Sequence, residues 1–310
     1  MQGTSTLRSA TSTLIRKHRW VPPTMVVLCA SAVVVVAIQG QRLSWTLASC
    51  AALVFASYVC GYAARAHKGI NYPSLLNLPR RHYGEVWDAL AATPELAKSA
   101  ATGFQDESAV RRSAQTALRN LIELAGVSNE DDILEIGCGV ARIGLELTPH
   151  CRSWTGADLS ANMLATAAER LRGANNVRLV KLQQVGLDQI ESNSFDLIYS
   201  TSMLDHLDQM DRWRYVKDAF RVLRPGGRLC IDNIDIESDE GWAGFARGAE
   251  SSQELERPPY NPTPTTAAEL STYALRAGFV QTRAHKRPPV VIVTALKPTA
   301  QSHRLTRETA

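Results

Sequence analysis

Residues 131–147, DDILEIGCGVARIGLEL, decide the fold expected for the chain. Their first part, residues 133–136, is a short apolar run typical of a buried strand. Gly137 and Gly139 follow, and glycine lets the backbone turn sharply and approach a ligand closely. Residues 140–147 then predict a helix whose first N–H groups are free to bind. This order of strand, glycine-rich turn and helix predicts a site for a nucleotide-like ligand.

Strands and helices alternate around this stretch. Further strands are predicted at residues 153–158, 176–182, 195–201 and 224–233, and helices at residues 106–126, 160–172 and 211–223. Near the end, Thr266 and Glu269 form a capping box that opens a helix stopped by Gly278. Two strands, FVQTRAH and VVIVTAL, follow as a hairpin. The pattern predicts a three-layer α/β sheet, mostly parallel with a C-terminal antiparallel strand pair. Its ligands would bind at the carboxyl ends of the strands.

Composition excludes several classes of function. The chain has 310 residues and a net charge of only +4, and it has no lysine- and arginine-rich block interleaved with aromatic residues. We therefore expect no nucleic-acid partner. The six cysteines include no CxxC pair, so neither a disulfide scaffold nor a metal site is expected.

Two uncharged apolar runs occupy residues 21–39 and 43–64. Each has about the ~20 residues that a membrane-spanning helix needs. Basic residues flank the pair on both outer sides, with only Arg42 between the runs. Because positive residues stay on the cytoplasmic side, both ends of this hairpin are expected there. The predicted location is therefore the cytoplasmic membrane, crossed by two helices, with the rest of the chain in the cytoplasm.

The expected organisation has five parts. They are a basic cytoplasmic N-terminus (1–20), a transmembrane hairpin (21–66), a linker with a short helix around residues 84–92 (67–105), an α/β domain (106–298) and a flexible tail (299–310).

The acidic residues around the glycine turn indicate which ligand it holds. A dinucleotide site follows the pattern G-x-G-x-x-G, but Arg142 stands where the third glycine belongs. Glu135 lies two residues before Gly137 and would repel a pyrophosphate while attracting an ammonium group. Asp158 ends the second strand, where a carboxylate can accept hydrogen bonds from ribose hydroxyls. S-adenosylmethionine combines a ribose with an ammonium and a sulfonium, so it suits these residues.

Four motifs resemble those of the class I S-adenosylmethionine-dependent methyltransferases. They are ILEIGCGVARIG (133–144), GADLSANMLATA (156–167), SFDLIYSTSMLDHL (194–207) and VLRPGGRLCI (222–231). The C-terminal strand pair also matches the family's antiparallel addition. The resemblance covers about residues 106–296 and implies a Rossmann-like fold, S-adenosylmethionine as the cofactor and methyl transfer as the activity.

The resemblance also implies roles for individual residues. Glu135, Gly137 and Gly139 would hold the methionine part of the cofactor, and Asp158 would bind the ribose. Cys138 and Thr201 are further cofactor-binding candidates. Leu159 and Met163 would pack on the adenine. The family usually has an acid after its third strand, but this chain has Gln183 and Gln184. A glutamine oxygen can still accept from the adenine amine, and Gln183 is the favoured residue.

The acceptor side is expected after the fourth and fifth strands. His206 follows the fourth strand and would either deprotonate an acceptor hydroxyl or only orient neighbouring groups; Asp205 is a weaker candidate base. Pocket-forming candidates are Asp232, Asn233, Asp235, Trp242, Phe245 and Tyr260. Arg142 and Arg152 are expected to be solvated.

The favoured function is O-methylation of a small or lipid-linked acceptor at the membrane. One alternative is a catalytically silent protein that uses the fold for membrane assembly. The other is an NAD(P)-dependent oxidoreductase, which requires glycine at position 142 and no acid at position 135; this sequence meets neither requirement.

Overall fold

A computed structural model describes residues 82–251 and 259–299. The apolar runs at residues 21–39 and 43–64 lie outside these ranges, so the expected hairpin is neither supported nor contradicted. Within the described ranges, no helix combines the length and the apolar character that crossing a membrane requires.

The centre of the fold is a seven-stranded mixed sheet with the order β3-β2-β1-β4-β5-β7-β6. Strands β1 to β5 pair in parallel, and β7 pairs antiparallel with both β5 and β6. This confirms the α/β sheet and the C-terminal antiparallel pair predicted from the sequence. The strands are β1 (Asp132–Ile136), β2 (Ser153–Asp158), β3 (Val177–Lys181), β4 (Phe195–Ser200), β5 (Leu223–Ile234), β6 (Val280–Arg287) and β7 (Val290–Leu296).

Helices pack on both faces of the sheet and form two apolar cores. Side chains alternate along a strand, so Ile133 joins one core while its neighbour Leu134 joins the other. The described helices are α1 (Tyr83–Leu90), α2 (Pro94–Thr102), α3 (Glu107–Asn120), α4 (Arg142–Leu147), α5 (Ala161–Arg170), α6 (Gln209–Val222), α7 (Asp239–Ser251) and α8 (Ala267–Ala277). Short helical turns cover Leu121–Ala125, Thr148–His150 and Leu204–His206.

Local sequence signals set several helix ends. The Thr266 side chain accepts a hydrogen bond from the Glu269 N–H at 3.2 Å and begins α8, and Gly278 ends it at φ +106°. Both ends confirm the sequence prediction.

The segment expected to be a connector is more ordered than its sequence suggested. Helix α1 lies where a short helix was expected, but α2 was not predicted. Thr93 caps α2 by accepting from the Leu96 N–H at 3.3 Å, with proline as the first helical residue. A threonine followed directly by proline is a helix-start signal that sequence reasoning missed.

Strand order changes direction between β1 and β4, which are neighbours in the sheet but not in the sequence. In an open α/β sheet, a crevice forms at this point outside the carboxyl ends of the strands. The fold therefore places the glycine turn after β1 and the loop after β4 on either side of one crevice.

Candidate active site

A cleft of about 800 Å³ lies at this crevice. Nine of the residues singled out from the sequence line it: Glu135, Gly137, Cys138, Gly139, Asp158, Leu159, Met163, Thr201 and His206. They come from β1, from β2, and from the segments that follow β1, β2 and β4. The sheet therefore gathers residues between positions 135 and 206 into one cavity.

The glycine turn is fixed to the end of β2. The Gly137 and Cys138 N–H groups both donate to the carbonyl oxygen of Ala157, at 2.8 and 3.1 Å. Gly137 has φ +70°, a left-handed conformation that side chains disfavour. A Cβ atom at this position would also lie 2.2 Å from Cγ of Met203. Glycine is therefore needed here for both backbone conformation and space.

Asp158 connects the ends of two elements. One carboxylate oxygen accepts from the Gly139 N–H and the other from the Ser160 N–H, both at 2.8 Å. Ser160, rather than Asp158, caps α5 by accepting from the Met163 N–H. Burial raises the pKa of Asp158. Each carboxylate oxygen keeps a second lone pair, so Asp158 can accept from ligand hydroxyls in the cleft.

Glu135 is almost fully buried at the other side of the glycine turn. The Tyr199 hydroxyl donates to its carboxyl oxygen at 2.5 Å, and Trp154 Nε1 donates to that hydroxyl at 3.1 Å. Burial raises the pKa of Glu135 to about 8, while the Tyr199 hydrogen bond and the charge of Arg142 oppose this rise. The Tyr199–Trp154 chain was not predicted, because it joins residues on three strands.

This pKa leads to a testable expectation for cofactor binding. Near pH 7 the Glu135 carboxyl is largely protonated, and an ammonium group beside it favours the charged form. Binding of S-adenosylmethionine should therefore release a proton, and affinity should weaken as the pH falls below about 8. Calorimetry in two buffers of different ionisation enthalpy measures the number of protons released on binding. Glu135→Gln should abolish this proton release. Equal heats for the unmodified protein in both buffers would contradict the expectation.

The far end of the cleft is apolar. Leu159, Met163 and Leu182 line it, as a flat aromatic base requires. Gln183 and Gln184 do not line the cleft: both are exposed. The Gln183 N–H donates to Gln189 and the Gln184 amide donates to Asp188. Among the described residues that line the cleft, neither glutamine is therefore available to the adenine amine. Leu182, directly after β3, lines the cleft instead.

The two N-terminal helices complete the cleft. Tyr83 and Trp87 from α1, and Ala100 and Ala101 from α2, belong to its lining. Asp88 holds α1 against α5 by accepting from the Ser160 hydroxyl at 2.6 Å and the Asn162 N–H at 3.1 Å. Sequence reasoning missed these residues, because no local pattern shows which surface a short helix covers.

His206 lies in the cleft with its ring held from two sides. Its Nδ1 is 3.0 Å from the carbonyl oxygen of Pro259, so this nitrogen carries a hydrogen and donates it. Its Nε2 is 3.8 Å from a carboxylate oxygen of Asp205. The Trp87 ring meets the imidazole edge-on at 4.8 Å. The contacts with Pro259 and Trp87 thus fix the orientation of the ring, with its Nε2 turned towards Asp205.

A second cavity of about 760 Å³ adjoins the cleft. The two share three lining residues, Arg142, Thr201 and Ser202. Arg142, which was expected to be solvated, is only partly exposed. Its charge lowers the pKa of both Glu135 and Asp232. Among the described residues, its guanidinium has no hydrogen-bond or ion-pair partner.

Of the residues expected on the acceptor side, Asp232 lines the second cavity. Asn233 lines neither cavity, because consecutive residues of β5 point to opposite faces. Trp242 is 57% exposed and packs on Phe245. Tyr260 packs near Val86 and Leu90, and Asp235 accepts from the Glu237 N–H. Of these pocket-forming candidates, Asp232 is therefore the one that lines the second cavity.

The cleft fits S-adenosylmethionine in chemistry. Asp158 suits the ribose, the apolar end suits the adenine, and Glu135 with Arg142 offers opposite charges for an amino acid. The one departure is at the adenine amine, because Gln183 and Gln184, the polar partners expected there, do not line the cleft.

Comparisons with known proteins point to the same cofactor. Residues 133–227 match the family model described as a methyltransferase domain. The chain is 29% identical over 156 residues to 27-O-demethylrifamycin SV methyltransferase of Amycolatopsis mediterranei, covering 49% of this chain and 56% of that protein. It is 26% identical over 166 residues to a malonyl-[acyl-carrier protein] O-methyltransferase of Marinomonas, covering 51% and 59%. The chain thus spans about half the length of these curated relatives.

A solved structure shows the same fold. Phosphoethanolamine N-methyltransferase 2 of Haemonchus contortus, in complex with phosphomonomethylethanolamine and S-adenosylhomocysteine, aligns with a TM-score of 0.53 at 16% identity. The alignment covers 72% of this chain and 61% of that one. Residues 133–227 match the model of a methyltransferase domain, and the chain has the fold of the class I S-adenosylmethionine-dependent methyltransferases, with S-adenosylmethionine as its cofactor.

Proposed function

We propose that this protein transfers the methyl group of S-adenosylmethionine to a hydroxyl oxygen of a small or lipid-linked acceptor at the cytoplasmic face of a membrane. The observation that supports methyl transfer is the single cleft containing Glu135, Asp158 and the glycine turn. The membrane location rests on the two apolar runs of the sequence. The relatives named above as an O-methyltransferase and an O-demethylrifamycin methyltransferase support an oxygen acceptor.

The bound cofactor supplies an electrophilic methyl group on a sulfonium. The sulfur is the leaving group and becomes a neutral thioether. The protein's own residues then mainly bind and align the reactants. Asp158 accepts from the ribose hydroxyls and Glu135 faces the ammonium. Helices α1 and α2 contribute Tyr83, Trp87, Ala100 and Ala101 to the wall of the cleft.

Arg142 is proposed to hold the carboxylate of the cofactor's amino-acid end. Arg142→Met should weaken S-adenosylmethionine binding by roughly 10- to 100-fold, since a hydrogen bond to a charged group contributes about 1.5–3 kcal/mol. Binding of decarboxylated S-adenosylmethionine should not change, because it lacks the group that Arg142 would contact. Titration calorimetry with both compounds measures the difference.

A matched control is Arg152→Met. Arg152 forms ion pairs with Asp132 and Asp196, away from the cleft lining. Its replacement should leave both affinities unchanged. An equal loss for the two compounds in the Arg142 variant would show that the guanidinium does not contact the carboxylate.

Methyl transfer itself is tested with methyl-tritiated S-adenosylmethionine and an extract of cells that contain the protein. We expect label in the organic-soluble fraction, and flotation of the full chain with membranes. Label found only in protein would contradict the proposed acceptor class. Tight cofactor binding with no label in any fraction would favour a catalytically silent protein.

A further inference from the structure

We propose that the second cavity binds the methyl acceptor, that this acceptor presents a hydroxyl group on a largely apolar body, and that Asp232 receives the hydroxyl proton. This inference rests on the proposed methyl-transfer function and specifies its acceptor and its base.

Position is the first argument. The cavity meets the cofactor cleft at Arg142, Thr201 and Ser202. A molecule in the second cavity would therefore lie directly beside one in the cleft, as a methyl acceptor must.

The walls of the cavity indicate the chemistry of its occupant. Helix α3, the helical turn after it and strand β7 line the cavity with aliphatic side chains, namely Ala117, Leu121, Val290 and Ile292. The polar lining from α3 is uncharged: Ser113, Thr116 and Asn120. An apolar body with a few hydroxyl groups suits these walls better than a highly polar glycan.

Asp232 is the group at which the acceptor hydroxyl would bind. It is 7% exposed and accepts one hydrogen bond, from the Ser202 N–H to Oδ1 at 2.8 Å. Among the described residues, its side chain has no other hydrogen-bond partner. A carboxylate with one donor has lone pairs left for a ligand, and this one lines the cavity.

The surroundings of Asp232 suit a base that works near neutral pH. Burial raises its pKa to about 7. The charge of Asp205, after β4, raises it further, while Arg142, from α4, lowers it. The neighbours on β7 and α3 in this cavity are uncharged. A base is most efficient when its pKa lies near the working pH.

His206 is less suited to this role. Its Nδ1 already donates to Pro259, and its Nε2 faces Asp205. Because Nδ1 is engaged by the Pro259 carbonyl and Nε2 is turned towards Asp205, we assign His206 as a positioning residue. Sequence position alone had favoured it over Asp232.

The step balances in atoms and charge. A lone pair of the acceptor oxygen forms the new bond to the methyl carbon while the carbon–sulfur bond breaks. The bonding pair stays on sulfur, which becomes a neutral thioether. The hydroxyl proton passes to the Asp232 carboxylate, so one positive and one negative charge disappear together.

The test uses the full chain, tritiated S-adenosylmethionine and an organic extract of cells containing the protein, partitioned into neutral, phenolic and carboxylic-acid fractions. We expect label in the neutral or phenolic fraction, at a rate that rises with pH through about 7 as Asp232 loses its proton. At saturating S-adenosylmethionine, where the pH effect expected on cofactor binding no longer limits the rate, Asp232→Asn should keep the Ser202 contact and cofactor affinity. It should also lower the rate roughly 100-fold or more and remove this pH dependence. His206→Gln should keep the pH dependence.

A second variant tests the cavity itself. Ala117→Phe would fill it from α3 and should raise KM for the extract while leaving S-adenosylmethionine affinity unchanged. Arg119→Phe, on the exposed side of the same helix, is the control.

Several outcomes would overturn the inference. They are an unchanged rate and pH profile in Asp232→Asn, label confined to the carboxylic-acid fraction, or equal KM values for the two phenylalanine variants. In each of these cases the unmodified protein still methylates. Absence of label from the unmodified protein in every fraction would instead refute the methyl-transfer function, and the acceptor assignment with it.

Discussion

Asp158→Ala is expected to abolish measurable binding of S-adenosylmethionine. The variant loses the carboxylate that would accept from two ribose hydroxyls, and hydrogen bonds to charged groups contribute about 1.5–3 kcal/mol each. It also leaves the N–H groups of Gly139 and Ser160 without their acceptor. The dissociation constant should rise by on the order of 100-fold or more, as measured by calorimetry.

Two further variants make this result specific. Asp158→Asn keeps one carbonyl oxygen, so its affinity should fall between those of the unmodified protein and the alanine variant. Asp132→Ala removes an acid at the opposite end of the sheet, where Asp132 pairs with Arg152 and Arg224. It should leave cofactor affinity unchanged. Unaltered binding in Asp158→Ala, with the fold intact by circular dichroism, would contradict the assignment of the ribose site.

Gly137→Ala is expected to destabilise the protein and to block the cofactor cleft. The left-handed backbone costs a non-glycine residue about 1–2 kcal/mol, and overpacking typically adds about 1–3 kcal/mol. The new methyl group would lie 2.2 Å from Cγ of Met203. Met203 lines the cleft, so its displacement should also lower cofactor affinity. Denaturant unfolding and calorimetry measure the two effects.

Gly173→Ala is a control that separates the cost of the left-handed backbone from the cost of the collision with Met203. Gly173 also has a positive φ, +96°, but a Cβ atom there would meet no atom within 4 Å. Its replacement should show the backbone cost alone and no loss of cofactor affinity. If Gly137→Ala were no more destabilising than Gly173→Ala, the proposed collision with Met203 would be wrong. Shortening Met203 to alanine in the Gly137→Ala background should recover part of the stability.

The glycine turn and its acids could be predicted because their signals are local. Glu135, Gly137 and Gly139 lie within five residues, and Asp158 directly ends the next strand. Parallel strands with helical connections bring their carboxyl ends to one edge. The sequence order of these residues therefore already implied a common cleft.

Residues whose roles depend on distant partners were missed or misplaced. Arg142 seemed solvated, yet it lies between the cofactor cleft and a second cavity whose other walls come from β5, β7 and α3. Gln183 seemed suited to the adenine, but a hydrogen bond from its N–H to the Gln189 side chain holds its backbone in a loop outside the cleft lining. No pattern in the chain shows such partners, because they are set by packing between separate elements.

The sequence by itself determined the order of strands and helices, the class I fold and the cofactor, because periodicity and short motifs act within a few residues. Only the tertiary structure decided which residues line the cofactor cleft and which line the second cavity. It placed Asp232 at a cavity and turned Asn233 away, since neighbouring strand residues face opposite sides of the sheet. It held both nitrogens of His206 against acceptors, and it brought α1 and α2 over the cleft. These roles follow from contacts between residues far apart in the chain.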